Sequence, residues 1–352
     1  MIERYTISRD DSLYQAWPDL ALTRGGTLIC VFSACDRHWP RSETRIMLCE
    51  SSDRGRTWSE KRPLTDPGNL PEAIWNCPRI TALRDGRLAV VVDRNPGQED
   101  ADETLLQNYM LFSEDDGRTW TSPALLPVHG IVPDKLLELD NGRWLLACQI
   151  KDAETGCLVQ RLWRSDDQGA SWQGPVTVGA QAGLDLCEAS ILQVDGPNLV
   201  AFMRENSFQG LDCYKTLSND YGETWSDPIR FPLPGCHRPV AGFLDDGSIL
   251  ITYRFMQGGK GWLGAWTQNF FAALTDAESA LAPGREGAAT RILPIDFDRS
   301  PQADLGYSGW VQFDNGEIYI VNYIVDDAPK AQLRGYALQP SEFLIETEGN
   351  KA

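Results

Sequence analysis

Four segments of this 352-residue chain end in tryptophan and follow one template. SSDRGRTW (51–58), SEDDGRTW (113–120), SDDQGASW (165–172) and SNDYGETW (218–225) all read Ser-x-Asp-x-Gly-x-(Thr or Ser)-Trp. A unit recurring at this period marks a modular fold, in which each copy belongs to one supersecondary element. Structure alone accounts for the turn: Asp accepts hydrogen bonds from backbone N–H groups of its own loop, Gly takes a left-handed conformation, and Trp buries its ring between neighbouring sheets. Asp53, Asp115, Asp167 and Asp220 are assigned to that role, because four copies on separate modules cannot surround one reaction centre.

Between these turns runs a second repeat, a glycine flanked by apolar alternation: LTRGGTLICVF, LRDGRLAVVV, LDNGRWLLAC, VDGPNLVAF, LDDGSILITY and FDNGEIYIVNY. Each reads as a β-hairpin with a two-residue turn. Their glycines, Gly26, Gly86, Gly142, Gly196, Gly247 and Gly316, lie 51 to 69 residues apart, the length of a four-stranded antiparallel blade with its loops. The expected fold is therefore all-β, a six-bladed β-propeller of four-stranded antiparallel blades forming one domain over residues 1–352. The Trp-ended turns follow hairpins one to four, between third and fourth strands. In blade five, AALTDAESALA keeps a trace of the template. Either the N-terminal ERYTIS or a C-terminal strand in EFLIETE closes the ring.

Composition narrows the partners. Acidic residues exceed basic ones by 50 to 32, and a formal charge of −18 repels nucleic-acid backbones and anionic membranes. The chain has no run of about 18 apolar residues, and MIERYTISRDD lacks the basic-then-apolar pattern of a signal peptide, so a cytoplasmic location is expected. Nine cysteines scattered through apolar stretches suit reduced, buried thiols. With no CxxC pair or paired-histidine spacing, neither metal nor cofactor is expected.

In an up-and-down meander the hairpins and the Trp-ended turns share one face. Starts of first strands and ends of second strands meet at the other. Counting about one strand length from each hairpin glycine brings to that face Asp36, Arg37 and His38; Arg79; Lys135 and Gln149; Glu188 and Arg204; His237, Arg238, Tyr253 and Arg254; and Tyr307 and Tyr323. Charged residues are rare at the ends of buried strands unless paired or functional. Ion pairs between blades account for some of them. Two of the three histidines and a cluster of arginines on one face of an acidic protein point further, to a pocket for an anionic sugar.

The Trp-ended turns resemble the Asp boxes of the sialidase (neuraminidase) superfamily, and the six hairpins resemble its six-bladed propeller. In that family a tyrosine nucleophile is assisted by a glutamate, an aspartate serves as acid/base, and three arginines hold the substrate carboxylate. GYSGWVQFDNGEIYIVNY resembles the nucleophile segment, which implies that role for Tyr307. CEASILQVDGPNLVAFMRE resembles the segment with the glutamate and the second arginine, implying Glu188 and Arg204. Two departures stand out. LYQAWPDL has Gln15 or Ala16 where the first arginine belongs, and ACDRHWPRSETR offers both Asp36 and His38 for the acid/base. Arg238 and Arg254 are both candidates for the third arginine.

These residues lead to an expected carbohydrate-active enzyme that hydrolyses a terminal acidic or deoxy sugar from an oligosaccharide. Tyr307, Glu188, His38, Asp36 and His237 are its catalytic candidates. Arg37, Arg79, Arg204, Arg238, Arg254, Lys135, Gln149, Tyr253 and Tyr323 are its substrate-binding candidates. The alternatives are a lyase eliminating across a uronic-acid glycoside, for which His38, His237 and Tyr307 supply acid and base, and a non-catalytic glycan-binding propeller.

Overall fold

The computed structural model describes residues 2–41, 43–65, 74–95, 105–257 and 267–343. It contains six four-stranded antiparallel sheets arranged as the blades of a propeller. The inner strands of blades one to six are Tyr14–Leu22, Ile74–Ala82, Leu137–Glu138, Leu186–Asp195, Cys236–Phe243 and Leu305–Gln312. Second strands such as Leu28–Cys35, Leu88–Asn95 and Ile318–Ile324 are buried along their whole length. Sheets stacked face to face around a ring cover both surfaces of these strands, so they read as continuous apolar runs. Among the described residues seven hydrophobic clusters result, one at each of the six blade interfaces and a small one around Leu186, Met203 and Tyr214 of blade four. Ile29, Val31 and Leu48 of blade one, for example, pack with Ile80, Val90 and Val92 of blade two.

Closure of the ring falls to the N-terminus. Glu3–Ser8 pairs antiparallel with Gln332–Leu338, so ERYTIS becomes the outer strand of blade six. The proposed C-terminal strand in EFLIETE does not form at its start, where Pro340–Phe343 is a 3-10 turn. Residues 344–348 of that segment lie outside the described residues.

Five of the six hairpins differ from the expected two-residue turn. In blade one, Thr23 N–H donates to the Thr27 carbonyl at 2.9 Å and Gly26 N–H donates to the Thr23 carbonyl at 3.0 Å. The same pair of bonds recurs at Leu83/Arg87, Leu139/Arg143, Leu244/Ser248 and Phe313/Glu317. These are three-residue loops, a type I turn followed by a left-handed glycine, which also matches the twist of the flanking strands. Only the hairpin of blade four, with Asp195 paired to Asn198, has two loop residues.

Each Asp box closes on itself. Asp53 accepts from Thr57 N–H at 2.9 Å and from the Thr57 hydroxyl at 2.6 Å, Ser51 Oγ accepts from Gly55 N–H at 2.9 Å, and Trp58 Nε1 donates to the Gly55 carbonyl at 3.1 Å. Glycine is required at 55 for space as well as conformation. With φ at +82°, a Cβ there would lie 2.3 Å from the Tyr319 ring of blade six. The box thus locks its own blade to the preceding one, and Arg56 reinforces the contact through Glu317 at 2.6 Å.

Blade five replaces the box by a short helix, Ala277–Leu281, whose N-terminus is capped by Asp276 accepting from Ser279 N–H at 2.7 Å. Its last carbonyls receive the buried Lys215 ammonium, 2.9 Å from the Ser279 oxygen and 2.8 Å from that of Ala280.

Candidate active site

Five inner strands carry a β-bulge at the same height. Register slips between Ala16 and Asp19, Trp75 and Pro78, Cys187 and Ser190, His237 and Val240, and Gly306 and Gly309. One extra residue per strand re-aims the side chain it carries. Trp17, Glu188, Arg238 and Tyr307 occupy that extra position with φ of 54°, 48°, 50° and 54°, and Val132 at φ 52° stands in the corresponding place of blade three. A left-handed non-glycine residue costs about 1–3 kcal/mol. That strain repeats around one end of the ring, the end that carries the candidate site.

The bulges also break the seams between inner strands, and side chains repair them. Asp19 accepts from Ile80 N–H at 2.9 Å, Asp134 from Ile191 N–H at 2.8 Å, and Ser190 from Ala241 N–H at 3.0 Å, each reaching a neighbouring blade. WPD and VPD in the sequence carried this signal, a short repeat two residues past the bulge.

At the centre, the Tyr307 hydroxyl donates to Glu188 Oε1. Arg204 Nη1 donates to both oxygens of the same carboxylate, at 2.9 and 3.0 Å. Burial drives the Glu188 carboxyl toward its neutral form, but the charges of Arg204, Arg238 and Arg254 and the Tyr307 hydrogen bond outweigh it, leaving its pKa below the usual glutamate value. Burial and then the Glu188 charge push the Tyr307 phenol well up, against Arg204 and Arg254. The resting pair is therefore a neutral phenol beside an ionised carboxylate. A nucleophile hydrogen-bonded to its own base loses its proton as it attacks.

A second pair sits beside it. His38 Nδ1 bonds to Asp304 Oδ2, and the same carboxylate accepts from the Tyr14 hydroxyl and, at 2.9 Å, from Tyr323. Burial raises the Asp304 pKa, but the His38 hydrogen bond and charge, Arg254 and Tyr14 outweigh it and leave it lowered. An ionised Asp304 fixes the proton of His38 on Nδ1 and leaves Nε2 for chemistry. Trp17 braces the imidazole edge-on, with centroids 5.2 Å apart.

His38 and Tyr307 line two adjoining cavities. One, of about 320 Å³, is walled by Trp17, Arg41, Asn76, Val132 and Gln149. The other, of about 430 Å³, is walled by Arg204, Arg254, Gln268 and Asp304. Tyr323 lies beneath them as a support for Asp304, and Gln149 accepts from Glu188 N–H at 2.8 Å.

Other expected residues stand elsewhere. Asp36 is bonded to Arg37 at 2.8 Å, and its carboxylate faces a separate depression beside Ser12 and Glu43, so neither residue reaches the cavities. Lys135 binds Asp19 at 2.9 Å and faces the central channel. Tyr253 is sealed in the core between blades four and five. Arg79 and Arg238, each 1% exposed, lie 5.9 and 5.7 Å from the Tyr307 ring centroid, are held by the Ser308 and Pro133 carbonyls and line neither cavity. His237 stands behind Arg254, 3.4 Å from Nη2. Burial first, then Arg204 and Arg254, push its pKa far below the usual range, so it stays neutral and positions the arginine.

Sequence reading passed over Trp17, Arg41, Asn76, Tyr14 and Asp304. Asp304 precedes Tyr307 by three residues, the one local cue available. Among the described residues no group of three His, Cys, Asp or Glu side chains is arranged to hold a metal ion.

Comparison with known proteins agrees with this architecture. Residues 26–320 match the family model of the BNR repeat-like domain, and the chain belongs to that family. No curated protein sequence matches it significantly. Among solved structures, a protein of unknown function from Dyadobacter fermentans is 19% identical with a TM-score of 0.79, the alignment covering 96% of this chain and 99% of that one. The Hadza microbial sialidase Hz136 is 18% identical with a TM-score of 0.71, covering 94% and 66%. An intramolecular trans-sialidase from Ruminococcus gnavus is 14% identical with a TM-score of 0.66, covering 95% and 96%. At these identities the likeness is one of fold: the chain is a sialidase-like propeller.

Proposed function

We propose that this protein is a glycoside hydrolase that removes a terminal acidic sugar from an oligosaccharide with retention of configuration. The observation carrying this reading is the chain Tyr307–Glu188–Arg204 at the junction of two cavities. In the first step the Tyr307 oxygen bonds to the anomeric carbon while its proton passes to Glu188. The glycosidic C–O bond breaks, and protonated His38 gives its proton to the departing oxygen. In the second step neutral His38 takes a proton from water, whose oxygen displaces Tyr307, and the phenolate recovers its proton from Glu188. Asp304 keeps His38 oriented throughout. His38 thus takes the place the sequence left open between it and Asp36.

Incubation with a panel of acidic oligosaccharides, read by mass spectrometry, tests the reading. Products carrying added water, lost in Tyr307→Phe, support hydrolysis. The His38–Asp304 pair also favours a second reading, elimination from a uronic-acid glycoside, whose unsaturated product absorbs ultraviolet light. Binding without turnover, altered in Tyr307→Phe, Glu188→Gln and His38→Ala with no activity gained or lost, would instead make the protein a glycan-binding propeller.

A further inference from the structure

The arginines around Tyr307 differ in what neutralises them. Arg204 is held by Glu188 and Arg254 lies 3.7 Å from Asp304, while Arg79 and Arg238 are sealed below the floor. Arg41 differs from the first pair in having no carboxylate partner and from the second in lining a cavity, although Arg79 and Arg238 also hold two buried unpartnered donors each. It is 9% exposed, it lines the 320 Å³ cavity, and no carboxylate of the described residues lies within salt-bridge distance of it. Its Nη2 donates to Asn76 Oδ1, and Asn76 Nδ2 passes the bond to the buried Asp93 at 2.9 Å. Nε and Nη1 are buried with no nitrogen or oxygen partner, and the only other polar group the guanidinium meets among the described residues is the weakly accepting Cys35 thiol. Its guanidinium carbon lies 4.2 Å from the centroid of the Trp17 ring, which fixes the plane of the group.

A buried cation with two unpartnered donors carries a desolvation cost that an anionic ligand would offset. Arginine fixed by stacking is suited to carboxylate and sulfate oxygens. Trp39, 41% exposed, lines the same cavity and supplies an aromatic face on which a sugar ring packs. We propose that Arg41 anchors the acidic group of the sugar, a carboxylate or sulfate, in the Trp17 cavity, on the side of Tyr307 away from Arg204. This rests on the reading of the two cavities as the substrate site. It accounts for the chain's lack of arginine at 15 and 16: Gln15 turns to accept from Ser8 Oγ at 2.6 Å, and the cation comes from the loop after the second strand instead.

Calorimetric titration tests the proposal without turnover. N-acetylneuraminate, D-glucuronate and galactose 6-sulfate are compared with galactose and N-acetylgalactosamine on the wild-type protein, Arg41→Met, Arg41→Lys and Arg41→Gln. At least one acidic sugar is expected to bind the wild type about tenfold or more tightly than the neutral ones, and which one separates carboxylate from sulfate recognition. Arg41→Met abolishes that preference and leaves neutral-sugar binding unchanged, whereas Arg41→Lys keeps part of it. Arg41→Gln, which can keep a hydrogen bond to Asn76, gives the same result as Arg41→Met and serves where the latter fails to fold. An acid preference that survives in folded Arg41→Met or Arg41→Gln, or no preference in the wild type, overturns the proposal. A preference lost with Arg41 in a protein that turns over no glycoside would sustain this inference and refute hydrolysis.

Discussion

The Tyr307 hydroxyl and Arg204 Nη1 converge on one oxygen of Glu188, so a single buried carboxylate serves both as proton acceptor and as the counter-ion of a buried arginine. Glu188→Gln therefore separates into two measurable effects. Turnover falls about 10²–10⁴-fold as the base is lost, and denaturant unfolding shows a loss of about 3–5 kcal/mol from the unpaired Arg204. The double variant Glu188→Gln/Arg204→Met recovers much of the stability and none of the activity.

Glu188 also predicts a pH dependence. Its folded-state pKa is lowered, so the unfolded chain binds the proton more readily and stability rises with pH across the acid range. The contribution is complete above the ordinary glutamate value of 4.5 and is lost as pH falls through the lower folded-state value. Urea midpoints measured downward from pH 6 should fall less in Glu188→Gln than in the wild type.

Lys215 gives a slope of the same sign in the alkaline range. Burial lowers its pKa from 10.5 to about 8, so between those values the unfolded chain holds more protons and stability rises with pH. Below about 8 the penalty of a buried ammonium is present in full. Lys215→Met removes this slope, worth on the order of 1–3 kcal/mol, and frays the capped helix Ala277–Leu281. Chemical denaturation from pH 7 to 10.5 reads the slope.

Asp304→Asn leaves the fold and the cavities in place but removes the acceptor that orients His38. A drop of about 10²–10⁴-fold in kcat with KM little changed is expected. A change confined to KM would place Asp304 in substrate binding instead.

On the opposite face, Gly55→Ala pushes a methyl into the Tyr319 ring and unlocks blades one and six, costing about 1–3 kcal/mol for overpacking. Gly26→Ala meets nothing within 4 Å and costs about 1–2 kcal/mol for its left-handed φ alone. Thermal melts should rank Gly55→Ala as the worse of the two. Turnover per folded molecule stays at the wild-type level in both.

Residues that are neighbours in the sequence separate in the structure. Tyr253 and Arg254 are adjacent in one strand and must point to opposite faces, so the first is core and the second lines a cavity. Asp36 and His38 both follow the end of the strand Leu28–Cys35, and only the path of the loop decides which turns inward. Arg79 and Arg238 lie at the same end of the ring as Tyr307, but depth along the axis is not written in a spacing.

The sequence by itself determined what local bonds determine. Asp53 finds Thr57 four residues away and Gly26 finds Thr23 three away, so boxes, the positions of the hairpins and the number of blades could all be read along the chain. Tertiary structure decided what meets across the ring: Tyr307 with Glu188 over 119 positions, His38 with Asp304 over 266, and Glu3–Ser8 with the last described strand. Those meetings depend on the angular position of each blade and on bulges that turn one residue per inner strand toward the axis. The packing of the closed ring sets both.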